Sequence, residues 1–185
     1  DWEKPAQFEI IDTNGQNYKA NAGIKIFGGW SRGNAQKSFS LFARKQYGTS
    51  EFDYPIFPKS NIDSYQSFIL RNSGNDWEQT MLRDGYVNSI IELTGVDYQQ
   101  YRPAIGYING EYWGIYNMRE KISEHFISSH HDVPTDKINL LAYNGGFEDN
   151  LETIHGSKND FLEFIQYVSS NDIRNSEVYN VVSDW

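Results

Sequence analysis

At 185 residues the chain is long enough for one ordinary domain or two small lobes, and 38% hydrophobic and 16% aromatic residues allow a sizeable core. A net charge of -9 argues against non-specific binding to nucleic acid or to an anionic membrane. No apolar run reaches the ~18 residues of a membrane span, and the absence of cysteine removes both a disulfide framework and a thiol nucleophile, a composition that suits the cytosol and a bacterial secreted protein alike.

In chain order, residues 6–27 read as a hairpin. Phe8 and Ile10, then Ile24 and Ile26, alternate with polar neighbours, and Asn14-Gly15 supplies the turn. Residues 28–45, GGWSRGNAQKSFSLFARK, follow as a glycine-bearing polar loop feeding an alternating strand. Counting by two from Lys37 puts it on one face with Phe39, Leu41 and Ala43. Lysine is rarely buried without a partner. Its ammonium therefore reaches a carboxylate or a ligand's phosphates, or it sits at the strand end and runs out to water.

Residues 46–65 hold Gly48, Pro55, Pro58, Asn61 and Asp63 among Tyr47, Phe52, Tyr54 and Phe57, which predicts an ordered loop pinned by aromatics. SFILR at 67–71 is a short buried strand. A helix is expected from about Asp76 to Thr94, with Asp76 and Gln79 at capping-box spacing, a stripe of Leu82, Tyr86, Ile90 and Leu93, and Gly95 as its C-terminal cap. Gly85 inside it is either a propensity defect or a point of close approach by another element. Residues 101–119 form the strongest signal, a hairpin about Asn109-Gly110 whose two apolar faces predict a place inside a sheet. A helix at 122–130, a strand at 136–143, a glycine-rich acidic loop at 144–150, and helices at 157–169 and from 176 onward complete the reading.

That order, hairpin, lysine-bearing third strand, helix, hairpin, helices, is the order of a protein-kinase small lobe entering a large lobe. The blocks GWSRGNAQKSFSLFARKQYG, LRNSGNDWEQTMLRDG and YINGEYWGIYNMREKI resemble the CotH (spore-coat protein H) family of atypical, secretory-type protein kinases, over most of residues 6–140. The resemblance implies an α+β, kinase-like fold: an antiparallel small lobe with one helix over 1–121, and the start of a helical large lobe over 122–185. It also implies ATP and Mg2+ as cofactors, a nucleotide and a protein substrate as partners, transfer of the γ-phosphate to Ser/Thr, and an extracellular, cell-surface or spore-coat setting.

Position by position, the resemblance makes Lys37 the lysine that grips the ATP phosphates and Arg32 the basic residue of the loop before it. Arg83 and Asp84 match the arginine-aspartate pair of the helix. Met118, Arg119, Glu120 and Lys121 match the hinge whose backbone meets adenine, with Glu120 its acidic residue. In kinases the small-lobe lysine is held by an acid of the first helix. Asp84 is the first choice for that acid and Glu78 the second, and about 120° of helical turn between them lets only one face Lys37. The chain lacks a glycine loop of the usual kinase spacing, as the family does. No catalytic base and no metal-binding Asp-x-Asp is identified within the 185 residues. The metal ligands are expected beyond Trp185, and residues 1–185 alone are expected to transfer no phosphate.

Other chemistry is weaker. His125, His130, His131 and His155 lack the spacing of a zinc motif, and Glu148, Asp149 and Glu152 lack that of a calcium loop. The rival reading is an extracellular module that stacks sugars on exposed aromatics, for which five tryptophans and thirteen tyrosines would suffice.

Overall fold

In the computed structural model, residues 2–143 and 151–185 are described; the expected loop at 144–150, with Glu148 and Asp149, lies outside them. The chain divides into two compact units, Asp1–Ile122 and Ser123–Trp185. The first holds β1 (Lys4–Ile11), β2 (Asn17–Phe27), β3 (Ser38–Phe42), β4 (Phe52–Asp53), β5 (Ser64–Tyr65), β6 (Ser67–Arg71), α1 (Arg83–Ile91), β7 (Tyr101–Ile108) and β8 (Glu111–Glu120). The second holds α2 (Glu124–His131), β9 (Leu140–Tyr143), β10 (Leu151–His155), α3 (Asn159–Ser170) and α4 (Ser176–Asp184).

Turn chemistry sets the two hairpins of the first unit. Asn109 and Gly110 take φ of 52° and 84°, the pair of positive values that matches a tight turn to the twist of its strands. The resulting pairs β1–β2 and β7–β8 become the flanks of one curled antiparallel sheet of six strands, in the order β1-β2-β3-β6-β8-β7. β3 and β6 bridge them, with Leu41 of β3 opposite Phe68 of β6 and Phe68 opposite Glu120 of β8.

One sheet face carries Ile10, Ala22, Leu41, Phe68 and Met118, all buried. The segment 46–65, the ordered aromatic loop expected there, packs on it through buried Phe52, Ile56, Phe57 and Tyr65. Phe8 meets Phe52 edge-on at 5.0 Å and Phe68 at 5.4 Å, a geometry that aromatic quadrupoles favour. Polar ties fix the rim. The Tyr54 hydroxyl donates to Asp12, and Arg102 pairs with Asp12 and donates to the Ile56 carbonyl.

The opposite face receives α1, and here the expectation is corrected. The helix begins at Arg83 rather than near Asp76; residues Gly74–Asp76 form a separate 3-10 turn. Leu82, Tyr86, Ile90 and Leu93 all lie on the solvent side. The inward positions are Asp84, Gly85, Asn88 and Ile91, spaced as one helical face. Gly85 is the reason: a Cβ there would lie 2.6 Å from the Tyr101 ring. Close approach explains the glycine. Gly85→Ala should therefore destabilise the unit by about 1–3 kcal/mol, as overpacking does, although alanine is the better helix former by about 1 kcal/mol. A urea titration in which Gly85→Ala matches or exceeds the wild type would show that the ring moves aside freely.

The hairpin 101–119 is also only half as expected. β8 lies inside the sheet, but β7 is an edge, and Ile105, Tyr107, Tyr112, Trp113 and Ile115 stay exposed. In the second unit, Ser123 caps α2 by accepting from the Phe126 N–H. The strand expected over 136–143 is shortened to β9 by a 3-10 turn at Thr135–Lys137, and it pairs with β10, a strand the sequence reading lacked. No helix of the described residues is long and apolar enough to cross a membrane.

Candidate functional site

The residues 28–37 connect β2 to β3 and carry Arg32 and Lys37. Gly28, at φ 104°, lets the chain leave β2 sharply, in a backbone region that side chains disfavour. A 3-10 turn at Trp30–Gly33 follows, with Trp30 and Arg32 exposed. The far end of the loop is tied down hard. Asn72, fully buried after β6, accepts from the Ser38 hydroxyl (2.8 Å) and from the Gly74 N–H (3.0 Å), and donates to the Gln36 carbonyl (2.6 Å). The Gln36 side chain donates to the Ile115 carbonyl and accepts from the Trp77 indole. The Tyr116 hydroxyl, pushed up to about 12 by burial, remains a donor to the Lys37 carbonyl at 3.0 Å.

Of the two placements open to Lys37, the structure takes the strand end: β3 begins at Ser38, and Lys37 precedes the strand's apolar row. Its ammonium turns back and donates to the carbonyls of Arg32 (2.7 Å) and Asn34 (2.6 Å), stapling the loop with two of its three N–H groups. It pairs with neither Asp84 nor Glu78. Glu78 is exposed. Asp84 is taken by two arginines, contacting Arg71 Nε and lying 3.2 Å from Arg119 Nη1. The lysine-to-helix pair is thus corrected to an Arg71–Asp84–Arg119 clamp that fastens α1 to β6 and β8.

The hinge expectation is corrected for three of its four residues. Met118, Arg119 and Glu120 lie in β8. Met118 pairs with Leu70 and Arg102, Arg119 with Ile69 and Tyr101, and Glu120 with Phe68, while the Glu120 N–H donates to the Gln100 carbonyl. Ladder hydrogen bonds on both sides of the strand occupy these backbone groups, so they cannot also meet a base edge. Met118 is buried on the core face, and the Glu120 carboxylate accepts from the Gln100 N–H. Lys121 follows the strand end, its ammonium 5.8 Å from the Phe42 ring centre. The arrangement therefore brings together Arg32 and Lys37 on one loop and Asp84 with Arg119 on the sheet face. Sequence reasoning missed Arg71, Asn72 and Gln36. The alternation of SFILR carried a signal for Arg71, since it puts Arg71 on the face opposite Phe68 and Leu70.

Asp76 closes the N-terminal side of α1. Buried, it accepts from the Thr80 hydroxyl (2.7 Å) and the Arg83 N–H (3.1 Å), capping the helix from a distance rather than starting it. The Thr80 hydroxyl first, and then the Arg83 N–H, hold its carboxyl below the ordinary value of 3.8. A lowered folded value contributes stability above the unfolded value, and that contribution is lost as pH falls through the folded one. Asp76→Asn should thus lower the urea midpoint at pH 7, with the deficit shrinking as pH falls below about 4. Equal deficits at pH 7 and pH 3 would remove the carboxylate from the account.

In the second unit Glu124 Oε1 lies 3.5 Å from His125 Nε2 and 3.8 Å from His155 Nδ1. The His155 Nε2 stands 2.9 Å from the Thr135 carbonyl.

A curled antiparallel sheet with a loop of basic residues at one strand junction and a single clamped helix on the face opposite its core defines an α+β, kinase-like small lobe. The family model described as CotH kinase protein matches residues 24–182, and the chain belongs to the CotH kinase family. Comparison with curated proteins found no match.

Proposed function

We propose that this chain is the nucleotide-facing part of a protein kinase that binds ATP with Mg2+ and transfers the γ-phosphate to Ser/Thr of a protein substrate. The observation that carries the reading is membership of the CotH kinase family over residues 24–182. The loop geometry supports it. Arg32 is exposed, and Lys37 keeps one N–H beyond the two spent on loop carbonyls. Both sit on a loop anchored by a buried asparagine, which suits charge stabilisation by groups positioned in advance.

In the reaction the substrate hydroxyl oxygen bonds to the γ-phosphorus as the bond from that phosphorus to the β–γ bridging oxygen breaks. ADP leaves, and the hydroxyl proton passes to a base. This chain's part is to hold the polyphosphate. A magnesium ion is expected to use carboxylates other than Asp84, whose oxygens are engaged by guanidinium groups. The adenine is expected to be met beyond Glu120, from Lys121 onward, since the preceding backbone is committed to the sheet. An extracellular or cell-surface setting goes with the proposal.

The test is radiolabel transfer from γ-labelled ATP to a generic acceptor protein by the full-length protein with Mg2+ or Mn2+. Incorporation supports the kinase reading, and its absence with both metals, in protein shown to be folded, removes it. The exposed Tyr107, Tyr112 and Trp113 of the β7–β8 hairpin favour one second reading, a sugar-stacking surface. A rise in melting temperature with a glycan panel but none with ATP and Mg2+ would select it.

A further inference from the structure

The polarity of α1 is inverted. Its inward positions are Asp84, Gly85, Asn88 and Ile91, and polar ties fasten them to their surroundings. Asp84 meets Arg71 and Arg119, and the Asn88 side chain accepts from the Gln99 N–H at 3.2 Å. The apolar residues point the other way. Leu82, Tyr86, Ile90 and Leu93 recur at helical spacing along one line. Each is between 47% and 86% exposed, and Val87 beside them is 46% exposed. A surface helix ordinarily turns such a stripe to its own core. Single exposed apolar residues need no explanation, whereas a contiguous apolar patch marks an interaction surface.

Three features fit the stripe to a second copy of itself. The first is shape. Residues 82, 86 and 90 form one ridge at i, i+4 spacing, and ridges of that kind interdigitate in the commonest class of helix packing. A two-fold axis near Tyr86 satisfies both ridges at once. The second is charge. Each copy carries a net charge of -9, so self-association is favoured only on a face without acids. The outward positions 82, 86, 89, 90 and 93 are Leu, Tyr, Ser, Ile and Leu. Antiparallel pairing also sets the helix dipoles against each other. It brings the first turn of each helix, with exposed Arg83, toward the end of the other, with exposed Glu92. The third is area. The five apolar side chains expose on the order of 500 Å² per copy, so a pair offers about 1,000 Å², the floor of a specific interface.

We propose that the outward face of α1 is a self-association surface, through which two copies of this chain form an antiparallel, two-fold dimer about Tyr86. The inference stands apart from the ATP reading, because it concerns the side of α1 turned away from the sheet.

The test is sedimentation equilibrium of the whole chain at concentrations up to about 100 μM, where a dimer is expected. Ile90→Glu should weaken the dimer by about 100-fold or more, since the two-fold puts each new acid into the interface twice. Ile105→Glu, on exposed β7, should leave it unchanged. A second measurement introduces no charge. The chain has no cysteine, so Tyr86→Cys carries its single thiol, and a short bis-maleimide should link two copies there but not in Ile105→Cys. A monomer at every concentration overturns the proposal. So does a dimer unaffected by Ile90→Glu in protein with wild-type helix content, or equal cross-linking at positions 86 and 105. A monomer that captures its acceptor protein, with capture lost in Ile90→Glu, gives the stripe to another partner and overturns self-association.

Discussion

Lys37→Ala in the full-length protein should reduce phosphoryl transfer from ATP by about 100-fold or more, the scale on which one preorganised charge-stabilising donor acts. The residue does two things that both end with it. Its ammonium staples the carbonyls of Arg32 and Asn34, and it is the cation proposed to meet the phosphates from the loop side. The fold should survive. β3 starts one residue later and is held by its own ladders to β2 and β6, so the stability cost is about 1 kcal/mol, the net worth of exposed hydrogen bonds. Radiolabel transfer measured beside a urea titration separates the effects. Full activity of Lys37→Ala would take the residue out of the nucleotide site.

The largest stability effect is expected at Asn72. Its side chain satisfies the Ser38 hydroxyl, the Gln36 carbonyl and the Gly74 N–H, all around a position with no exposure. Asn72→Ala leaves three polar groups short of partners and a void in their midst. At roughly 1–3 kcal/mol for each unsatisfied buried group, with partial relaxation, the loss should be about 3–5 kcal/mol in the free energy of unfolding. Ser38→Ala alone should cost less, and the double variant less than the sum, since the two residues share a network. A loss under about 1 kcal/mol for Asn72→Ala would mean that water replaces the amide and that the network does not hold the loop.

What the sequence made legible was what is local. Asn109-Gly110 carries its turn geometry in two residues, and Gly15, at φ 84°, marks the turn inside the five-residue loop Asp12–Gln16. The aromatic segment 46–65 announced its own burial by composition. Period-two counting put Phe39, Leu41 and Ala43 on the core face correctly, but it could not say that the strand begins at Ser38 and leaves Lys37 at its end. Ser38 and Ser40 are buried on the other face, so a polar residue in that strand does not mark a wet side. The helix around Asp76 misled for a related reason. A capping spacing and an apolar stripe are both present, but α1 meets the sheet through Asp84 and Gly85, and no periodicity of apolar residues reports a face built from a carboxylate and a missing side chain. The hinge error has a topological origin. Nothing near Met118 in the sequence says that β6 will lie alongside it, and that neighbour is what consumes its backbone. The clamp was half visible: Asp84 and Arg119 were singled out, for other roles, while Arg71 was passed over because it ended a strand noted only for its apolar run.

The strand order has a kinetic meaning. β1–β2 and β7–β8 are hairpins closed by tight turns, and pairs of that kind form in about 1–10 μs. β6 has no such head start. Its neighbours β3 and β8 are both distant in sequence, and the chain must close long loops on either side before β6 gains any ladder. The rate at which this lobe folds should therefore be governed by the capture of β6 between β3, laid on the first hairpin, and β8 of the second. Until that step the Arg71 and Asn72 side chains have no partners, so the anchor of the 28–37 loop and the arginine clamp on α1 come into being together, as the last strand locks.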